Sequence, residues 1–304
     1  MRWGEKRYHS LDYELKQMFK EKVYKIALNG GMTCPNRDGH VGTGGCIFCS
    51  SGDFAGSARL SIAEQIRQGK ADISSKRPVH SYIAYFQAFT NTYAPVETLR
   101  ALYMEAIADP EVKILSIATR PDCLGADVLA LLDEINQIKP VWVELGLQTI
   151  HPETSAYIRR GYELSVFEQA VKELRAIGIT VIVHTILYLP GETKDDMLDT
   201  IHYLNHMDIQ GIKLQLLHVL THTDLAADYE KHPFYIPDMQ DYIQFLGTCI
   251  AHLNPEIVIH RLTGDGPKDL LIAPLWTSNK RTVLNQLHSH LKEQDIWQGK
   301  EYYV

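Results

Sequence analysis

This 304-residue chain has no run of about 18 apolar residues, which excludes a membrane-spanning helix. Its start, MRWGEKRYHSLDYELKQ, is charged and has no apolar h-region, which excludes a secretory signal. Together these point to a cytoplasmic protein whose thiols stay reduced. No linker, low-complexity tract or block of like charge divides the sequence, so one domain is expected, with a core over about 23–265 and a helical tail over 266–304. An overall basic excess is missing too. Thirty Lys and Arg face 37 Asp and Glu, a formal charge of −7. That does not suggest a histone-like binder and leaves room for nucleic acid at a local basic patch.

Cysteine is scarce, yet three of the five cysteines lie in one stretch, TCPNRDGHVGTGGCIFCS, residues 33–50. Cys34, Cys46 and Cys49 are spaced C-x11-C-x2-C, with glycines at 39, 42, 44 and 45. So much glycine forbids a regular element and lets the loop fold back until three sulfurs face one point. Convergent thiolates suit a soft metal, either zinc or an iron–sulfur cluster. Structural zinc takes four ligands, which His40 would complete here. Three thiolates on a cubane would instead leave one iron open for a ligand.

Around this loop, hydrophobic periodicity predicts alternating strands and helices. A helix is expected over 9–22 and a strand over 23–28, and Ser61 and Glu64 read as a capping box for a helix to about 71. Strands follow at 81–89, 113–119, 141–148, 180–189, 211–220 and 256–263. Helices are expected at 96–108, 126–138, from a Ser165–Glu168 cap to about 177, and at 194–207, 239–253 and 278–296. Strands rich in Val, Ile and Leu, each followed by a helix, mean a parallel sheet covered on both faces. The fold class expected is α/β, a parallel (β/α)6-type partial barrel with helical extensions at both ends. Such a barrel places its site at the C-terminal strand ends. There the sequence offers Gln87–Thr90, Arg120, Asp122 and Cys123, Glu144 and Gln148, His184, then Gln215 and His218.

The cysteine loop, with Phe48 before the last thiol and a βα barrel following, resembles the radical S-adenosylmethionine (radical SAM) enzymes. Those more often space the cysteines C-x3-C-x2-C. The longer gap, with TRPD, VELGLQT and LPGET, is similar to the radical domain of the elongator catalytic subunit. The joint pattern YHSL, TCPNRDG, GGCIFCS, YFQAFTNTYAP, TRPDCL and LPGET looks like the YhcC/YtqA family, over about residues 8–290. The resemblance implies that Cys34, Cys46 and Cys49 hold a [4Fe–4S] cluster whose fourth iron chelates S-adenosylmethionine. It places Phe48 and Leu189 against the adenine and Glu144, with Gln148, at the ribose. Gln87, Ala88 and Thr90 stand where the family has glycines whose carbonyls receive the ligand's ammonium, Arg160 would face the methionyl carboxylate, and His184 joins this cofactor set. A 5′-deoxyadenosyl radical would be the product, with a flavodoxin- or ferredoxin-type electron donor as partner.

Cys123 and Cys249 are too few for a second cluster, and about 40 residues past the last strand leave no room for an acyl-transfer domain. Kinship with the elongator domain therefore implies tRNA as partner, with a carboxymethylaminomethyl group on the wobble uridine trimmed to aminomethyl. Arg120, Asp122, Cys123, Gln215 and His218 are substrate candidates, and Lys280 and Arg281 are the candidates for phosphate contact. The alternatives are radical chemistry on a small molecule or peptide, or a zinc-stabilised barrel that binds without radical chemistry.

Overall fold

The computed structural model describes residues 3–50, 56–75, 79–264 and 266–303. The expected core boundary at 265 lies outside them. The elements run α1 (Leu11–Phe19), β1 (Tyr24–Leu28), α2 (Ile62–Ser74), β2 (Tyr82–Phe86), α3 (Val96–Ile107), β3 (Val112–Thr119) and α4 (Ala126–Asn136). They continue with β4 (Val141–Gln148), α5 (Pro152–Tyr157), α6 (Leu164–Ala176), β5 (Thr180–Leu187), α7 (Lys194–Asn205) and β6 (Gly211–Leu216). The last are β7 (Val219–Leu220), α8 (Asp224–Lys231), α9 (Met239–His252), β8 (Val258–Arg261), β9 (Leu271–Ala273) and α10 (Lys280–Glu293).

The seven strands β1 to β6 and β8 form one parallel sheet in chain order, and its edges β1 and β8 are not paired to each other. It is the expected partial barrel. Burial follows position: β2 is buried throughout, whereas the edge strands β1 and β8 are buried at only some positions. The β8 edge is covered by the N-terminal segment, where Ile259 N–H donates to His9 O at 2.7 Å and Ser10 bridges Ile259. Below, Leu11, Leu15 and Phe19 of α1 close the barrel floor by packing on Val23, Ile83, Ile114, Trp142 and Ile182.

Three local expectations change. The Ser165–Glu168 cap does not form: α6 starts one residue earlier, at Leu164, and Glu168 instead accepts from Tyr203 Oη at 2.8 Å. Ser61 does cap α2, but Glu64 turns to Arg67 (3.0 Å) and leaves the box half made. A complete box sits at Thr193–Asp196, opening α7. The strand expected over 211–220 breaks after Leu216, because Val219 and Leu220 pair antiparallel with β9 in a separate ribbon.

Leu15 is the most buried anchor of α1, at 4% exposure, while Met18 on the same helix is 46% exposed. Leu15→Ala should lower unfolding free energy by about 2–5 kcal/mol, and Met18→Ala by no more than about 0.5 kcal/mol, measured by urea denaturation.

Candidate cluster and cofactor site

Backbone turns, not a regular element, shape the cysteine loop. The N–H groups of Arg37 and Asp38 both return to Cys34 O, at 2.8 and 3.2 Å, and Gly45 N–H donates to Asn36 O at 2.6 Å. Cys49 N–H closes a turn on Cys46 O at 2.9 Å. The buried Asn36 is the pivot, its Nδ2 donating to Arg159 O at 2.6 Å and approaching Cys46 Sγ at 3.6 Å. A Cβ at Gly42 would meet Asn36 Oδ1 at 2.5 Å, so glycine there makes room for the pivot. Two backbone bonds strap the second half of the loop down, from Ile47 N to Ile158 O (3.1 Å) and from Leu225 N to Ile47 O (2.9 Å). Phe48 and Leu189 lie in one apolar cluster with Ile47, Ile158, Leu217 and Leu225, as a hydrophobic wall beside the thiols would require.

Among the described residues, no three His, Cys, Asp or Glu side chains close on one point as the ligands of a single metal ion would. His40 is exposed, its ring 6.4 Å from that of Tyr93. The thiols are nonetheless mutually in range. Burial first, then the Cys49 and Cys34 charges, push the Cys46 thiol up to about 11, while Arg120 and the Asn36 hydrogen bond oppose the shift. Three thiols on one loop, with His40 turned out to solvent, suit a cubane with one open iron better than a structural zinc ion, which takes four ligands. Arg120 gives this corner its positive charge. It is bidentate to Asp122 (2.9 and 2.6 Å), donates to Arg160 O at 2.8 Å, and lies 4.9 Å over the Tyr162 ring.

The rim beside this loop is formed by the end of β4. The register slips between Gly146 and Gln148, and Gln148 has φ +67°, a bulge that re-aims the last side chain of the strand. Gln148 Oε1 is buried without a hydrogen-bond partner among the described residues, an unmet acceptor that a ligand hydroxyl would satisfy. Arg160 clamps the turn after β4: its guanidinium donates to Leu147 O (2.9 Å) and Thr149 O (2.7 Å), and twice to Tyr162 O.

Glu144 needs a larger correction. Its side chain is fully buried, and Oε1 accepts from Lys25 Nζ (2.7 Å) and Ser116 Oγ (2.9 Å). Oε2 is held by His184 Nε2 at 2.7 Å and by Lys213 Nζ. Both oxygens are engaged, so Glu144 is not free to take a ribose diol; it is the counter-charge of the barrel interior. Burial alone would raise its pKa, but Lys213, Lys25 and the His184 hydrogen bond outweigh that and hold it well below the usual carboxylate range. His184 is lowered to about 4 by burial and Lys213, despite Glu144. Lys213, lowered to about 7 by burial, also reaches Tyr85 Oη at 3.0 Å.

The remaining candidates are dispersed. Ala88 and Thr90 are buried and Gln87 half-buried; Thr90 N–H donates to Thr33 O at 3.2 Å, joining the β2 loop to the cysteine loop. Asp122 and Cys123 line a cavity of about 520 Å³ with Pro35, His40 and Tyr93, and burial and Asp122 push the Cys123 thiol up to about 12. Gln215 is half-buried on β6, while His218 packs against Gly264 and Gly266, where an added Cβ would meet its ring at 2.2 and 3.0 Å. Lys280 and Arg281 open α10, exposed. Sequence reasoning missed Asn36, Lys25 and Lys213. A lysine inside an apolar strand, as in YKIAL and GIKLQL, was the available signal.

Residues 36–204 match the Radical SAM superfamily and residues 209–293 the Radical SAM C-terminal domain. The chain belongs to the radical SAM superfamily. It is 45% identical over 299 residues to the uncharacterized protein YtqA of Bacillus subtilis, covering 97% of this chain and 93% of that one. Protein YhcC of Escherichia coli is 37% identical over 287 residues, covering 93% and 92%. Among solved structures, the archaeal Methanocaldococcus infernus Elp3 with an N-terminal deletion superposes with TM-score 0.70 at 14% identity, over 91% of this chain and 64% of that one. Coproporphyrinogen III oxidase (HemN) from Escherichia coli gives 0.50 at 15%, over 76% and 54%. These two likenesses are of fold. Membership of the superfamily implies a [4Fe–4S] cluster and S-adenosylmethionine, and the three-thiol loop with its apolar wall and unmet Gln148 acceptor fits both.

Glu144→Ala would leave the buried Lys213 and the half-buried Lys25 without their carboxylate. Unfolding free energy should fall by about 3–5 kcal/mol, whereas a purely ligand-binding role would leave the urea midpoint of the ligand-free protein unchanged. His184 gives a pH test. Its folded pKa lies below its unfolded value near 6.5, so between pH 6.5 and about 4 the unfolded chain holds a proton that the folded one refuses. Its contribution to stability is therefore present above pH 6.5 and lost as pH falls towards 4. His184→Gln should flatten that part of the urea-midpoint profile relative to the parent.

Proposed function

We propose that this radical SAM enzyme acts on tRNA, trimming a carboxymethylaminomethyl group on the wobble uridine to aminomethyl. The observation that carries the radical chemistry is the loop holding Cys34, Cys46 and Cys49 at the rim of the barrel, beside the wall that contains Phe48 and Leu189. The chemistry a [4Fe–4S] cluster held there would supply, with S-adenosylmethionine, is reductive cleavage of that cofactor and abstraction of a hydrogen atom from substrate. The chain's own residues bind and orient. The thiolates of Cys34, Cys46 and Cys49 would hold the cluster, with the Arg120 charge favouring the ionised form of Cys46. Gln148 Oε1 accepts from the cofactor's ribose, the role Glu144 is too committed to fill. Leu189 and Phe48 exclude water along the adenine.

Support for tRNA comes from the motifs shared with the elongator radical domain, TRPD, VELGLQT and LPGET. In the proposed reaction a hydrogen atom leaves the methylene between nitrogen and carboxylate. An external flavodoxin- or ferredoxin-type carrier takes up one electron from the resulting substrate radical, and water then releases the amine and glyoxylate. The test is the modified-nucleoside profile of bulk tRNA from cells lacking this protein. The ratio of carboxymethylaminomethyl- to aminomethyl-type uridines should rise; an unchanged ratio overturns the tRNA reading.

A further inference from the structure

Where the N-terminal segment covers the β8 edge, beside the start of β1, lies a cavity of about 580 Å³, and a second of about 870 Å³ adjoins it, sharing Lys6, Ser10 and Asp12. The first is lined by Lys22 and Lys25 at the start of β1, Arg261 on β8 and Lys280 on α10. Arg7, Lys16 and Lys292 are added by the second. With Lys6, the described lining residues include eight Lys and Arg and two carboxylates, Glu5 and Asp12, in a chain where acids outnumber bases 37 to 30. Some of this charge is neutralised: Arg7 pairs with Asp295 and Lys16 with Asp12, both at 2.8 Å, and Lys25 with Glu144. Lys6 and Lys22 lie instead over the rings of Tyr8 and Tyr24, at 5.5 and 5.0 Å. So many cations held together repel one another, and a surface of this kind is stabilised by an anion.

We propose that this face is where a single-stranded nucleotide chain lays its phosphates; this rests on the RNA reading above. Three observations select the occupant. The sign of the charge reverses that of the whole chain. None of the exposed large apolar side chains among the described residues lines either cavity, which disfavours a lipid surface or an apolar protein partner. The surface is concave and leads inward, Lys25 lining the cavity and holding Glu144 inside the barrel, which suits an extended strand or loop better than a duplex.

Lys22 and Lys292 are exposed, one in each cavity, and stand apart from the cysteine loop and the Glu144 network, so K22E/K292E leaves the fold and the cofactor site intact. Lys172 on α6 is exposed and lines neither cavity; K172E is the control for a charge reversal placed off this face. The readout is binding of bulk tRNA to the purified full chain by fluorescence anisotropy across a salt series, which requires no radical turnover. K22E/K292E should weaken binding at least about tenfold at low salt and reduce the slope of log affinity against log salt by about 1–2, while K172E changes neither. If the parent binds and K22E/K292E binds equally well, or K172E weakens binding as much, this face is overturned and the RNA reading stands. If the parent binds no tRNA at low salt, the RNA reading is overturned and this face with it.

Discussion

One carboxylate sets the interior of this half-barrel. Glu144 is bound by Lys25 from β1, Ser116 from β3, His184 from β5 and Lys213 from β6, so it ties together strands from opposite sides of the sheet. Taking such charges out of water is costly, and the arrangement holds only because both oxygens of the carboxylate are used. The network sits above the apolar floor closed by α1 and leaves the rim to the loops that carry the chemistry.

What the rim adds follows from topology. A parallel sheet in chain order puts every strand's C-terminal end on one side, so the cysteine loop after β1, Thr90 after β2, Arg120 after β3 and Gln148 at the end of β4 meet without long connections. The contacts among them are made largely by backbone: Thr90 to Thr33, Asn36 to the Arg159 carbonyl, Arg120 to the Arg160 carbonyl. Arg120 and Arg160 both lie over the Tyr162 ring, at 4.9 and 4.8 Å, and Arg160 also holds the carbonyls of the β4 turn.

The strands and the cysteine loop were legible because their signals are local. Val, Ile and Leu runs mark buried strands, and C-x11-C-x2-C among glycines marks a ligand loop. Partner choice was not legible. Glu144 stood out as a polar residue in an apolar strand, but only the register shows that Lys25 and Lys213 claim it before any ligand can. The carbonyl partners of Arg160 were hidden in the same way, since carbonyls at a strand end carry no sequence signature. The short ribbon of β7 with β9 and the six-residue α5 depend on tertiary contacts too brief to leave a periodic pattern.

The claim that most depends on the cysteine loop is that it carries a catalytic cluster, and iron content with turnover measures this directly. Anaerobically reconstituted protein should hold about four irons per chain, as a cubane requires, and on reduction convert S-adenosylmethionine to methionine and 5′-deoxyadenosine. Cys34→Ala, Cys46→Ala and Cys49→Ala should each remove both properties, and Cys249→Ala neither. Stoichiometric zinc without iron, or iron loading that survives loss of any one of the three thiols, would contradict the account.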